Sequence, residues 1–303
     1  MIRRYRNRSL VVLAFLLVLV ISCACTGNTD TEIPSKSFLW EVTGDSNQVF
    51  ILGSVHLADS SIYPLADSIE DAFARSDYMA VEFDIMSVNE GDVAMLLLQK
   101  ARYPAGETLY HNIPQELYEE ADDVLEKMGA DILLFNSLEP WAVAMEIEAL
   151  EMVQLGYTPE NGIDMYFLNE AHSRGMEVHE LESAEFQIEL MDTLPEDIQI
   201  FLLENIVSER LNKKELERMF DIWKQGDVGA MEELVFEDAD ESSEFRTINR
   251  IMLDERNFGM VEKIIRFLSD EESYFVVVGA AHLVGDNGLI NLLEDAGYEV
   301  AQL

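Results

Sequence analysis

The chain has almost no cysteine. Of its 303 residues only Cys23 and Cys25 are cysteines, and both lie near the N-terminus. The remainder of the chain therefore contains no disulfide framework, no thiolate metal site and no catalytic cysteine.

Basic residues are also scarce. The chain has 20 Lys and Arg residues against 59 Asp and Glu residues, a formal net charge of −39. Without the first 22 residues, 16 basic residues face 59 acidic ones, a formal charge of −43. Because such a surface repels phosphate backbones, the composition excludes a nucleic-acid role. The acidity is typical of solvation or of adaptation to salt, and it leaves a cationic substrate open.

The N-terminal apolar run is short for a membrane span. It covers Leu10 to Ile21, whereas a helix needs roughly 20 residues to cross a bilayer. Arginines precede it, as in a signal peptide. Val20-Ile21-Ser22-Cys23 also resembles a bacterial lipobox, in which the cysteine is acylated. We therefore expect residues 1–22 to be a lipoprotein signal peptide, Cys23 to carry the lipid and residues 23–37 to form a flexible tether.

Two other interpretations of this segment stay open. One is an uncleaved signal anchor, and the other is an ordinary cleavable signal followed by a fortuitous cysteine. All three interpretations of the N-terminal segment place the following domain outside the cytoplasm, because basic residues precede the apolar run. We expect an exported protein, anchored by its lipid at the outer face of the cell membrane.

The whole chain, including the predicted signal peptide, is 49% hydrophobic. This content is enough for a packed core. Short β-rich runs occur at both ends, and helical periodicity dominates the residues between them. We therefore predict an α/β fold: a central mixed sheet formed by the N- and C-terminal parts, with a largely helical insertion, over residues 38–303. The expected strands cover residues 38–42, 49–53, 78–84, 176–181, 274–278 and 298–303. Turn residues separate the first two, which predicts a hairpin, and helical periodicity predicts long helices over residues 198–224 and 248–268.

One motif occurs twice, far apart in the chain. Ile51-Leu52-Gly53-Ser54-Val55-His56-Leu57 and Val277-Val278-Gly279-Ala280-Ala281-His282-Leu283 both run from an aliphatic strand into Gly-x-x-His. With 16 glycines and 5 histidines, chance would supply roughly 0.3 such matches. The repeat therefore calls for a physical reason.

Open α/β sheets bind ligands beyond the carboxyl ends of their strands, where a glycine allows a sharp turn. Two histidines placed there could converge in one crevice and, with a carboxylate, hold a divalent metal ion such as Zn²⁺ or Mn²⁺. Glu82 is the carboxylate candidate, because a charge in an apolar strand is costly unless it is paired, exposed or metal-bound. Strand alternation places Asp84 on the same face as Glu82. The metal site predicted from the residues is His56, Glu82 and His282.

These motifs resemble those of the TraB/GumN family, which includes pheromone-shutdown proteins and the Tiki proteases. Further segments agree with the resemblance, which covers residues 38–303: Asn161-Gly162-Ile163-Asp164, Leu181-Glu182 followed by Gln187, and Asp254-Glu255-Arg256-Asn257. The resemblance implies a metal-dependent site that is proteolytic in the Tiki branch, with Asp164, Glu182 and Arg256 completing or orienting it.

The leading hypothesis is hydrolysis of a peptide or similar bond by a metal-activated water. The metal ion would be Zn, Mn or Co, Glu82 would act as ligand or general base, and Arg256 would stabilise developing negative charge. The substrate would be a peptide or another small molecule. The alternative is a non-catalytic surface protein that sequesters a peptide, metal or haem-like ligand.

Overall fold

The fold is described from a computed structural model that covers residues 36–236 and 242–303. The predicted signal peptide, Cys23 and most of the predicted tether lie outside the described residues.

Six strands form one mixed sheet in the order β4-β3-β5-β2-β1-β6. Four neighbouring strands, β4, β3, β5 and β2, run parallel, while β1 is antiparallel to both β2 and β6. The sheet therefore combines N- and C-terminal strands, as predicted, and β5 lies between β2 and β3. The strands are β1 Leu39–Thr43, β2 Gln48–Ser54, β3 Tyr78–Val81, β4 Glu177–Glu180, β5 Tyr274–Gly279 and β6 Glu299–Gln302.

The predicted N-terminal hairpin is confirmed as β1 and β2. Its turn contains Gly44 and Asn47, whose backbone groups bond to each other at 3.1 Å. The Asn47 amide also donates to the carbonyls of Phe267 and Glu272, at 2.7 and 2.6 Å. A Cβ at residue 44 would lie 2.5 Å from the carbonyl oxygen of Leu268, so this close approach requires glycine.

Helices make up most of the chain between the strands and pack on the sheet or on one another. They are α1 Asp67–Ala74, α2 Glu90–Lys100, α3 Leu109–Asn112, α4 Gln115–Lys127, α5 Pro140–Leu155, α6 Ile163–Arg174, α7 Ala184–Asp192, α8 Glu196–Ser208, α9 Lys213–Lys224, α10 Val228–Phe236, α11 Ser243–Asn249, α12 Glu255–Phe267 and α13 Leu289–Asp295. Within the described ranges, no helix is both long and apolar enough to cross a membrane.

Two helices that the periodicity predicts as continuous are divided. The predicted helix over residues 198–224 breaks after Ser208, and α9 begins where the Asn212 side chain accepts a hydrogen bond from the backbone of Glu215. The predicted helix over residues 248–268 contains a wider π-helical turn, Arg250–Asp254, between α11 and α12. Apolar periodicity alone does not reveal either interruption.

The apolar side chains form two separate cores. The first surrounds the sheet and includes the ring cluster Phe73, Phe167 and Phe275, with centroids 4.8 to 5.3 Å apart. The second is entirely helical and joins side chains of α4, α5, α8 and α11, among them Val143 and Leu203. The predicted helical insertion is therefore confirmed, and it has a core of its own.

Candidate active site

The four parallel strands end at one edge of the sheet, and each is followed there by a polar side chain. His56 lies two residues beyond β2, Glu82 directly follows β3, and Glu182 lies two residues beyond β4. His282 lies in the short 3₁₀ turn that follows β5. The carboxyl edge of an open α/β sheet is where ligands bind.

The Glu82 carboxylate lies at the centre of this edge. The sequence analysis predicted that Glu82 lies inside a strand. In the structure β3 ends at Val81, so the buried Glu82 is the first residue after the last pair of hydrogen-bonded strand residues. Its Oε1 accepts a hydrogen bond from the backbone N–H of Gly279 at 2.8 Å. Its Oε2 accepts from Arg256 Nη2 at 2.6 Å and from Gln187 Nε2 at 2.9 Å. Both oxygens are therefore fixed by donors.

These donors keep Glu82 ionised. Burial alone favours the neutral acid, but the Arg256 guanidinium, helped by His56, outweighs it and holds the pKa of Glu82 well below its ordinary range. A carboxylate with so low a pKa is a weak proton acceptor. Glu82 is therefore better suited to binding a cation than to acting as a general base.

His56 is oriented by Asp164. Its Nδ1 lies 2.9 Å from Asp164 Oδ2, and Ser54 Oγ donates to the other oxygen of the same carboxylate at 2.9 Å. The His56 Nε2 therefore faces the centre of the site, 4.0 Å from Glu82 Oε1. Burial opposes the charged imidazole, but the attraction of Asp164 and of Glu82 raises the pKa of His56 to about 9.

A glycine allows Asp164 to reach this position. A Cβ at Gly162 would lie only 2.1 Å from the backbone oxygen of His56, so no other residue fits without displacing α6. The next residue, Ile163, donates its N–H to the carbonyl of Val55 at 3.1 Å. The first turn of α6 is thereby joined to the segment that carries His56.

His282 is oriented by Asn257. Its Nδ1 lies 2.6 Å from Asn257 Oδ1, and the Asn257 amide nitrogen donates to the carbonyl of Asn287 at 2.8 Å. This arrangement assigns the proton to Nδ1 and leaves Nε2 with a lone pair, 3.9 Å from Glu82 Oε1. Burial, together with the nearby charge of Arg256, lowers the pKa of His282 to about 3. His282 is a neutral imidazole.

The donor set is chemically suited to a divalent metal ion. Two Nε2 atoms, from His56 and His282, face the same Oε1 of Glu82 at 4.0 and 3.9 Å. Each opposite Nδ1 is held by a polar side chain, as in most metal-ligating histidines. The spacing is wider than in a closed cluster: among the described residues, no group of three or more His, Cys, Asp or Glu side chains forms a ready metal site. A Cβ at Gly279 would lie 3.4 Å from both Glu82 Oε1 and His56 Nε2.

Arg256 and Glu182 form the layer behind this set. The buried guanidinium donates through Nε and Nη2 to Glu182, at 2.9 and 2.7 Å, and through Nη1 to the Met252 carbonyl at 3.2 Å. Gln187 Nε2 bridges the carboxylates of Glu182 and Glu82, at 2.9 Å to each. The geometry favours a positioning role for Arg256 and Glu182.

Asp84 does not join the site. Its carboxylate accepts from Ser87 Oγ at 2.5 Å and lies 2.8 Å from His172 Nε2. The strand alternation expected to pair it with Glu82 is absent, because β3 has already ended. His172 is exposed on α6, and its imidazole is the partner of this buried acid.

Asn257 and Gln187 belong to the site, although no role was predicted for them. Both occur beside residues that were singled out, but an amide side chain carries no charge and has no distinctive spacing. One signal was available: Arg256 and Asn257 are consecutive polar residues at buried positions of α12, ahead of the apolar Met260 and Ile264. Buried polar groups need partners.

Comparison with known proteins agrees with this architecture. The sequence model of the TraB/PrgY/gumN family matches residues 38–302. The uncharacterized protein YbaP of Escherichia coli (strain K12) is 26% identical over 259 residues, which cover 84% of this chain and 90% of YbaP.

More distant relatives carry the name of a metalloprotease. Metalloprotease TIKI1 of Danio rerio is 20% identical over 327 residues, covering 91% of this chain and 65% of that protein. The metalloprotease TIKI homolog of Amphimedon queenslandica is 20% identical over 347 residues, covering 97% and 67%. No solved structure matches the chain.

Proposed function

This chain belongs to the TraB/PrgY/gumN family, and we propose that it is a metal-dependent hydrolase that cleaves peptide or similar bonds. One observation carries the proposal: two oriented imidazoles direct their Nε2 atoms at the carboxylate of Glu82. The metalloprotease name of the distant TIKI relatives supports the same reaction class.

His56 and His282, through Nε2, and Glu82, through Oε1, would hold the ion, which we propose to be Zn, Mn or Co. When bound, a divalent ion lowers the pKa of water and polarises a carbonyl group. Binding requires that His56 lose its proton, because in the metal-free protein its pKa is about 9. His282 is already neutral.

The surrounding side chains keep these three groups in place. Asp164 and Asn257 each hold one Nδ1, which fixes the direction of both imidazoles. Arg256 and the Gly279 N–H fix the two oxygens of Glu82 separately. These contacts support the proposal, because they would hold the candidate ligands in place before an ion binds.

Metal binding tests the assignment. The full-length chain is incubated with Zn²⁺, Mn²⁺ or Co²⁺, dialysed and analysed for bound metal, beside His56→Ala and His282→Ala. The exposed His111→Ala variant is the matched control. We expect roughly one ion per chain in the wild type and control, and at least tenfold weaker binding in both site variants. Unchanged metal content in both site variants would refute the ligand assignment.

A non-catalytic binding protein is the second candidate. One observation favours it: both oxygens of Glu82 already accept hydrogen bonds from Gly279, Arg256 and Gln187. A peptide library incubated with the metal-loaded chain separates the two functions. Cleavage that disappears in Glu82→Gln supports the hydrolase, whereas binding without turnover supports sequestration of a peptide, metal or haem-like ligand.

We also propose that the protein acts as a lipoprotein at the outer face of a membrane. The support is the sequence alone: a basic segment, the apolar run Leu10 to Ile21 and the lipobox-like residues ending at Cys23. Metabolic labelling with an alkyne fatty acid tests this. The wild type and Cys25→Ser are expected to be labelled, and Cys23→Ser to remain unlabelled and to leave the membrane fraction.

A further inference from the structure

An apolar cleft opens directly beside the proposed metal site. His56 and Gly279 line one side of it. Met219 of α9 and the side chains Met231, Leu234 and Val235 of α10 line it as well. A substrate that enters this cleft beside His56 would contact these aliphatic side chains.

The cleft is suited to a bulky aliphatic side chain. Met231, Leu234 and Val235 lie at i, i+3 and i+4 on α10, so they present one continuous apolar face. Methionine is flexible and polarizable, which lets two methionines adapt to side chains of different shape. Among the described residues that line the cleft, His56 carries the only titratable side chain.

The net charge of the chain indicates which residues lie beside the aliphatic side chain in such a substrate. The formal net charge is −39, and on α10 the exposed carboxylates Glu232 and Glu233 follow directly after Met231 of the cleft wall. A field of this sign attracts cationic peptides and repels acidic ones. An apolar cleft on a strongly acidic chain matches a peptide that combines lysine or arginine with a large aliphatic residue.

We propose that this cleft is the specificity pocket of the proposed hydrolase and that its substrates are cationic peptides, which insert one bulky aliphatic side chain between α10 and the segment of His56. The proposal rests on the proposed function. Met231 and Leu234 are the specificity-determining residues, because their side chains line the same cleft as His56.

The test measures binding and cleavage separately. The full-length chain is placed in nanodiscs of zwitterionic lipid, and the probe is a fluorescein-labelled peptide with lysines at both ends and one central leucine. Matched peptides replace the leucine by alanine or the lysines by glutamates. We expect the alanine peptide to bind about 10- to 100-fold more weakly. The glutamate peptide should bind more weakly still at low salt. Added salt should weaken the binding of the lysine peptide.

A protein variant supplies the second arm. Met231→Phe fills the cleft and should weaken binding of the leucine peptide by about tenfold, whereas Met95→Phe, at a position 65% exposed on α2, should leave it unchanged. If Met231→Phe does not fold, as judged by circular dichroism, the peptide series on the wild type decides.

Mass spectrometry of the same peptides after addition of Mn²⁺ separates the two proposals. Selective binding without cleavage supports the pocket and counts against hydrolysis. Cleavage of the leucine and alanine peptides at equal rates supports hydrolysis and overturns the pocket. Binding no stronger than that to empty nanodiscs also overturns it.

Discussion

Replacing Arg256 by methionine tests the charge balance of the site. The substitution removes the cation that donates to Glu182 at 2.9 and 2.7 Å and to Glu82 at 2.6 Å, and it leaves two mostly buried carboxylates without the guanidinium that they share. Removing one partner of a buried ion pair costs about 3–5 kcal/mol. We expect the metal-free variant to lose about this much of its free energy of unfolding at pH 7.5.

The loss should depend on pH in a defined direction. In the wild type Arg256 holds the pKa of Glu82 well below its ordinary value, so Glu82 stays ionised between pH 5 and 8. In the variant burial dominates and raises this pKa. Protonation at low pH then removes the uncompensated charge, so the difference in stability from the wild type should shrink between pH 7.5 and pH 5.

Urea denaturation of the full-length chain in EDTA, followed by circular dichroism at both pH values, measures this difference. The exposed Arg218→Met on α9 is the matched control and should change stability by no more than about 0.5 kcal/mol. A loss below about 1 kcal/mol, or the same loss at pH 5 and 7.5, would refute the electrostatic reasoning.

Three further predictions concern other parts of the site and core. Gly162→Ala should destabilise the fold by about 1–3 kcal/mol in urea denaturation, because the new Cβ meets the His56 carbonyl; a neutral result would contradict the close approach. His56 should titrate near pH 9 in NMR of the metal-free chain. Its protonation should contribute roughly 3 kcal/mol to the free energy of unfolding, a contribution that is complete below pH 6.5 and lost as the pH rises through 9. His56→Gln should abolish this pH dependence of stability. Glu148→Gln should raise the melting temperature at pH 8, because burial and the adjacent Glu151 raise the pKa of Glu148 well above its ordinary value, so folding at pH 8 either binds a proton or buries a charge; an unchanged melting temperature at pH 8 would speak against this.

Much of the fold was predictable, because the relevant signals are local. The hairpin of β1 and β2 follows from two β-rich runs separated by turn residues, and β5 from an apolar run that ends at Gly279. The divided helices were not predictable from periodicity. The break before α9 depends on the capping side chain of Asn212, and the π turn before α12 on packing between distant elements.

The candidate site was predictable where a residue type and a backbone motif coincide. Gly53 and Gly279 marked the strand ends, and the histidines that follow them were found from that spacing. The partners that hold each imidazole were harder to predict. Asp164 came only through a family resemblance and Asn257 received no role, because each reaches its histidine across the fold, 108 and 25 residues away in sequence.

The position of β5 in the sheet has a consequence for biogenesis. This strand spans residues 274–279, yet it separates β2 from β3, which are synthesised some two hundred residues earlier. The nascent chain can therefore complete neither its sheet nor the candidate site until β5 has been synthesised. Removal of a short C-terminal stretch that includes β5 would leave two apolar strands exposed as aggregation-prone edges.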